Sequence, residues 1–202
     1  MTDFLESTFQ KLRDHLSSGS GISAPTHTDP FFTFLHEPRE TLELHRRLRR
    51  WCPVLERDGL KVEICSLREL VWDAVDASDR WDDWLEAEQP GKYTGANTSM
   101  RDVLLREKSS SASAVLRAGI LPRLAELLSH GDRRRLVLLT DTALLHPWFR
   151  PDKISNSLHD QILCSTVLFY PGHLRGPKGL CFLDFHAEDT GGYRSTILGG
   201  HS

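Results

Sequence analysis

The chain of 202 residues predicts an α/β protein. It should be a single domain with a mostly parallel central sheet, helices on both faces, a helical insertion in the middle of the chain and a C-terminal hairpin. Three observations carry that prediction. Between Asp3 and Val75, short apolar runs alternate with stretches at helical spacing, the order expected of a helix-covered parallel sheet. The run RLVLLT, Arg135 to Thr140, is apolar enough for a strand buried on both faces. Two further strand candidates, STVLFYPG and GLCFLDF, follow each other closely enough to pair as a hairpin.

Each element has its own local reason. Phe4, Leu5, Phe9, Leu12 and Leu16 recur at helical spacing, so residues 1–17 predict an N-terminal amphipathic helix. Glycine and serine then make 18–30 a linker. FFTFLHEP, Phe31 to Pro38, reads as a strand that Pro38 stops, and Leu42, Leu44, Leu48, Trp51, Val54 and Leu55 stripe the helix after it. Pro53 predicts a kink or an earlier stop in that helix. KVEICSL, Lys61 to Leu67, is the second strand, and Ser66 with Glu69 forms a capping box opening a helix through Val75. The insertion, residues 77–130, is mainly helical: Trp81, Trp84 and Leu85 mark one helix, GKYTGANTS a loop, and Met100, Val103 and Leu104 the start of another. A long helix carries Val115, Leu116, Ile120, Leu121, Leu124, Leu127 and Leu128. The strand at Ser165 to Gly172 should end in a tight Pro-Gly turn, and RSTIL completes the sheet edge.

Composition excludes some classes of function. Hydrophobic residues at 39% and charged residues at 26% describe a folded chain, and a net charge of -3 gives no global attraction to nucleic acid. No apolar run approaches the roughly 18 residues that cross a bilayer. The acidic start MTDFLESTFQKL lacks a signal core, so the cytoplasm is the expected compartment. Cys52, Cys65, Cys164 and Cys181 show no C-x-x-C pairing, which predicts core thiols and no cofactor or zinc held by them.

Three chemical readings attach to named residues. Asp141, ending a buried strand, has the position of a Walker B acid, yet the chain contains no G-x-x-x-x-G-K-[ST] cradle to go with it. A helix cap or turn acid is the better reading. Asp184, His186 and Glu188 alternate within DFHAED and offer three ligands to a divalent metal, the basis of an alternative function as a metal-dependent nuclease or phosphoesterase. A solvated loop running into TGGY is the simpler account of those residues. The basic runs HRRLRR and RRRL read as a solvated helix face and as the amino end of a strand, away from the ligand side of the sheet.

The remaining candidate is a surface. Loops beyond the carboxyl ends of parallel strands are where α/β sheets collect function. HPWFRP follows Asp141, and YPGHLRG follows the neighbouring strand, so Pro147, Trp148, Phe149, Arg150 and Tyr170 should share one rim. Aromatic residues beside arginine are the composition of interface centres. The competing account has Trp148 and Phe149 plugging the sheet end while Arg150 satisfies backbone carbonyls.

The same residues carry a resemblance. LTDTALLHPWFRPDKISNSL, then VLFYPG, then DTGGYRSTIL resembles the closing half of the BrxB family of BREX bacteriophage-exclusion systems. The matching positions are Pro147, Trp148, Arg150, Asn156, Pro171, Gly172, Tyr193 and Arg194, and FFTFLHEPRETLELHRRL with Pro38, Arg39 and Glu40 is similar to the family's first strand and helix start. Asp141 and His146 stand where the family more often has glycine and an aromatic. The resemblance implies a single BrxB-like domain over 1–202 and a role in phage defence as a non-catalytic adaptor. It implies partners too: a PglZ-type phosphatase-like protein, with the PglX methyltransferase and the BrxC ATPase as further companions, while the net charge and the lack of a long apolar run argue against direct DNA contact and a membrane. Tyr193 and Arg194 join the rim residues as the partner-binding set it suggests.

Overall fold

The computed structural model describes residues 3–17, 30–87, 93–105, 119–148, 150–175, 179–183 and 195–200. Phe31–His36 (β1), Lys61–Ser66 (β2), Arg135–Thr140 (β3), Ser165–Arg175 (β4) and Thr196–Leu198 (β6) lie parallel in the order β2-β3-β4-β1-β6. Gly179–Phe182 (β5) folds back antiparallel on β4. Successive strand residues point to opposite faces, and both faces are covered. On one side Phe32, Phe34, Leu136, Leu138, Val167 and Phe169 meet Phe4–Ser17 (α1) and Thr41–Arg57 (α2). On the other, Phe31, Leu35, Val137, Leu139, Leu168 and Tyr170 meet Leu67–Asp76 (α3), Trp81–Ala87 (α4), Tyr93–Leu104 (α5), Ile120–Leu128 (α6) and Asp152–Leu158 (α7). Each such side chain taken from water contributes roughly 1.5–3 kcal/mol. No helix among the described residues is long and apolar enough to cross a membrane.

Charged side chains fix the helices at their edges. Arg47, inside HRRLRR, has a side chain only 11% exposed; it reaches Asp3 at the start of α1 and Glu43 one turn back, at 2.9 Å. That arginine therefore clamps α1 to α2, so the run is not a solvated face throughout, although Arg46, Arg49 and Arg50 are exposed. Arg135 likewise staples β3 to β2 through Glu63 at 2.7 Å and to the end of α6 through the Leu127 carbonyl, also at 2.7 Å.

Several local expectations need correction. The α2 helix does not stop at Pro53 but runs to Arg57, because Pro53 lies on the exposed side, where water can solvate the carbonyl left without its N–H. GKYTGANTS is not a loop throughout, since α5 begins at Tyr93. Met100, Val103 and Leu104 therefore close a helix instead of opening one. Tertiary contact overrides the weak local propensity there: the Ser99 hydroxyl accepts hydrogen bonds from Arg80 at 3.0 Å and from Trp84 at 3.2 Å. The helix α6 starts at Ile120, where Pro122 sits in the first turn and needs no donor; Val115 and Leu116 lie outside the described residues.

The Pro-Gly turn is also absent. β4 continues through Pro171 and Gly172 and changes partner there, from parallel pairing of Pro171 with His36 to antiparallel pairing of Gly172 with Phe182. Only glycine permits that approach, since a Cβ at Gly172 would lie 2.0 Å from the Cys181 carbonyl oxygen.

Candidate functional site

The sheet order creates a crevice of the kind that holds ligands in α/β folds. From β1 the chain leaves through α2 towards β2 at one edge, whereas from β4 it leaves towards β5 and then β6 at the other. Neighbouring strands β1 and β4 thus send their connections in opposite directions, which opens a gap beyond their carboxyl ends. His36 and Pro171 stand side by side at that gap.

Asp141 explains what a buried strand gains by ending on an acid. Its backbone is left-handed, with φ 61° and ψ 28°, a conformation aspartate tolerates better than most residues, and it turns β3 directly into a short 3-10 helix, Thr142–Leu145. The carboxylate does not cap that helix. One oxygen accepts from the Ser66 hydroxyl at 2.6 Å and from Thr140 at 2.9 Å, and the other lies 3.2 Å from His45 Nε2. Asp141 therefore ties β2, β3 and α2 together at one point. Ser66, expected to cap α3 by its side chain, stands at the cap position but spends its hydroxyl on Asp141. The group does not have the order of a serine–histidine–acid triad, because the serine proton faces the acid and the histidine lies on the acid's far side.

His36 closes the gap from the β1 side. It is 3% exposed, and its Nδ1 lies 2.9 Å from the Glu37 carbonyl, so Nδ1–H donates and Nε2 keeps the lone pair. Burial pushes its pKa down to about 4; the Glu37 carbonyl works in the opposite direction, and nearby His45 adds to the lowering. The imidazole is neutral at pH 7. The cavity left among His36, Leu44, His45, Asp141 and Phe169 is about 20 Å³, the size of a single water and too small for a substrate. Cys65 supplies no nucleophile either, its thiol pushed up to about 11 by burial and by Glu63 and Glu69. A cleft of about 620 Å³ lies elsewhere, between α6 and α7, lined by Leu121, Pro122, Ala125, Glu126 and Leu158.

The rim residues separate into three groups. Pro147, joined to His146 by a cis peptide, is exposed; Trp148 and Arg150 are half-buried. Trp148 packs on the core, its backbone N–H bonded to Leu145 at 2.9 Å, while the buried indole N–H has no hydrogen-bond partner among the described residues. Tyr170 is 1% exposed and tilted against Phe182 at 5.4 Å, so its ring supports the rim from within instead of facing a partner. β4 is covered on both faces, and burial of that side chain follows. Phe149, Tyr193 and Arg194 lie outside the described residues, as do Asp184, His186 and Glu188. Among the described residues no three His, Cys, Asp or Glu side chains group as metal ligands, and none of the four cysteines is in a disulfide.

Sequence reasoning missed the contact of Ser66 and His45 with Asp141, and it missed two exposed indoles. Trp72 on α3 and Trp81 on α4 are 47% and 44% exposed and stack at 6.0 Å with 12° between their planes. For Trp72 a signal was available in its turn-neighbours Arg68, Glu69 and Asp76, since a core tryptophan seldom has one turn-neighbour after another charged, whereas Trp81 has Trp84 and Leu85 one turn on and carried no such signal.

The described residues form a mostly parallel α/β sheet with a short segment carrying Trp148 and Arg150 beyond the carboxyl end of β3. The family model described as BREX protein BrxB matches residues 63–198, and the chain belongs to that family. It is accordingly a component of BREX phage defence. The match takes in β2 to β6, with Asp141, Trp148 and Arg150, and begins after the segment containing Pro38, Arg39 and Glu40. No curated protein and no solved structure matches the chain.

Proposed function

We propose that the chain is a non-catalytic adaptor within its BREX system, binding a companion protein through the rim beyond β3. The observation that carries this reading is how little space the described residues leave at the strand ends: about 20 Å³ beside His36, His45 and Asp141, and about 60 Å³ between His36 and Gly172. The segment that follows Asp141 offers shape and chemistry to a partner instead. Pro147 stands out from the surface, Trp148 contributes a large ring fixed by the core, and Arg150 adds a guanidinium able to meet a carboxylate in two-point fashion. Phe149 belongs to the same proposed surface as the sequence neighbour of Trp148 and Arg150, and Tyr193 and Arg194 through the family resemblance. A PglZ-type protein is the proposed companion, and residues 1–202 act as one BrxB-like unit.

Co-purification with that PglZ-type protein tests the reading. Changing Trp148 or Arg150 to alanine should each weaken the complex by about 2 kcal/mol, roughly thirtyfold. Wild-type affinity in both variants refutes this surface.

A further inference from the structure

Three tryptophans gather where α3 meets α4. Trp84 belongs to the core, 7% exposed, with its N–H on Ser99. Trp81 meets it edge-on at 6.0 Å and carries Trp72 stacked on its other side. Trp81 is held in place, since its N–H donates to Asp76 at 3.4 Å. Leu85, one turn beyond Trp81 on the same helix face, is 60% exposed. Two indoles and a leucine side by side in water are the kind of apolar patch that marks a binding surface.

Charge says what would cover it. Residues 67–87 carry seven acids, among them Glu69, Asp76, Asp82 and Asp83, against Arg68 and Arg80 alone. The whole chain has 28 acids and 25 lysines and arginines, so the remainder holds 21 acids and 23 basic residues. This one segment is net -5 while everything else together is net +2. Arg80 is turned inward to Ser99, at 3.0 Å, while Arg123 of α6 reaches Asp73 at 3.2 Å and offsets one of the seven acids. Phosphate backbones and anionic lipid are repelled by such a face. A guanidinium or ammonium group is drawn in by the carboxylates and then rests on the indole ring, whose face is negative.

We propose that the Trp72/Trp81 face is a docking surface for an arginine- or lysine-rich segment of a protein partner. It uses none of the rim residues, and it stands whether or not the rim reading does.

The test titrates the full chain into labelled oligoarginine and oligolysine peptides, with an oligoglutamate peptide and a short DNA duplex as competitors of other chemistry. Saturable binding of a cationic peptide that weakens with salt is expected. It should fall roughly tenfold or more in the Trp72→Ala/Trp81→Ala variant, whose folding is checked by circular dichroism. The Asp76→Asn/Asp82→Asn/Asp83→Asn variant, with both rings in place, should bind more weakly and with a flatter salt dependence. An Arg150→Glu variant should bind these peptides as wild type does, which separates this surface from the rim. The proposal is overturned if neither cationic peptide saturates, if both multiple variants bind like wild type, or if DNA or oligoglutamate is preferred.

Discussion

Trp148 and Trp81 sit in the same chain under opposite conditions. The first is pressed against the core just past the tip of β3, with its indole N–H shut away from water and from any acceptor among the described residues. An unmatched buried donor of that kind costs about 1–3 kcal/mol. The second is nearly half exposed, has its N–H on Asp76, and meets rings on two sides. At the rim, then, packing is gained at the expense of a polar group. On the α3–α4 face the polar group is satisfied and apolar area stays in water. The proposed binding role is entangled with folding at Trp148 and separable from it at Trp81, and that difference decides how each proposal must be probed.

The strongest way to break the comparison is at the tie beneath the rim. Asp141→Ala removes the acceptor shared by Ser66, Thr140 and His45 and places alanine in a left-handed conformation. Urea denaturation should show a loss of about 3 kcal/mol, and roughly half of that for Asp141→Asn, which keeps one acceptor and the backbone tolerance. A loss below about 1 kcal/mol for the alanine would mean that the rim stands without its anchor.

Acid should act on the same region with nearly equal force. His36 has a folded pKa of about 4 against an ordinary value of 6.5, so between those values the unfolded chain binds a proton that the folded one refuses. Stability is full above about pH 6.5 and falls as pH drops towards 4, by about 3 kcal/mol in all. Melting temperature against pH checks this, and His36→Asn should flatten the part of the curve between pH 6.5 and 5. An unchanged slope would contradict a buried neutral imidazole.

Smaller effects sharpen the contrast between the two tryptophans. Trp148→Ala should cost about 2 kcal/mol of stability, whereas Trp148→Phe, which deletes the unmatched donor and keeps a ring, should be neutral or slightly stabilising. Trp72→Ala and Trp81→Ala should each lie within about 1 kcal/mol of wild type, the scale of an exposed aromatic pair. Chemical denaturation of the four variants would show the ranking directly, and equal losses at Trp148 and Trp81 would dissolve the distinction.

Much of the architecture was legible because strand and helix signals are local. Leu136 to Leu139 could only be a buried strand, and the spacing of Leu44, Leu48, Trp51 and Leu55 could only stripe a helix. What was hidden depended on residues distant in sequence. Ser66 satisfied every local criterion of a capping box, yet an aspartate 75 residues away took its hydroxyl. Tyr170 looked like a rim residue because a strand covered on both faces gives no alternation by which to tell inside from outside. Pro171 and Gly172 carry the composition of a turn, but here they mark a change of strand partner. That Trp148 and Arg150 lie beyond β3 was legible, because the chain that follows a parallel strand must emerge at its carboxyl end.

The rim's role is tested most directly by calorimetric titration of the PglZ-type protein with three full chains: wild type, Arg150→Glu and Trp72→Ala. Reversing one guanidinium changes the rim without emptying the core. Affinity lowered at least about tenfold by Arg150→Glu is the predicted result. Equal affinity for wild type and Arg150→Glu would contradict it, and a loss confined to Trp72→Ala would move the interface to the acidic tryptophan face.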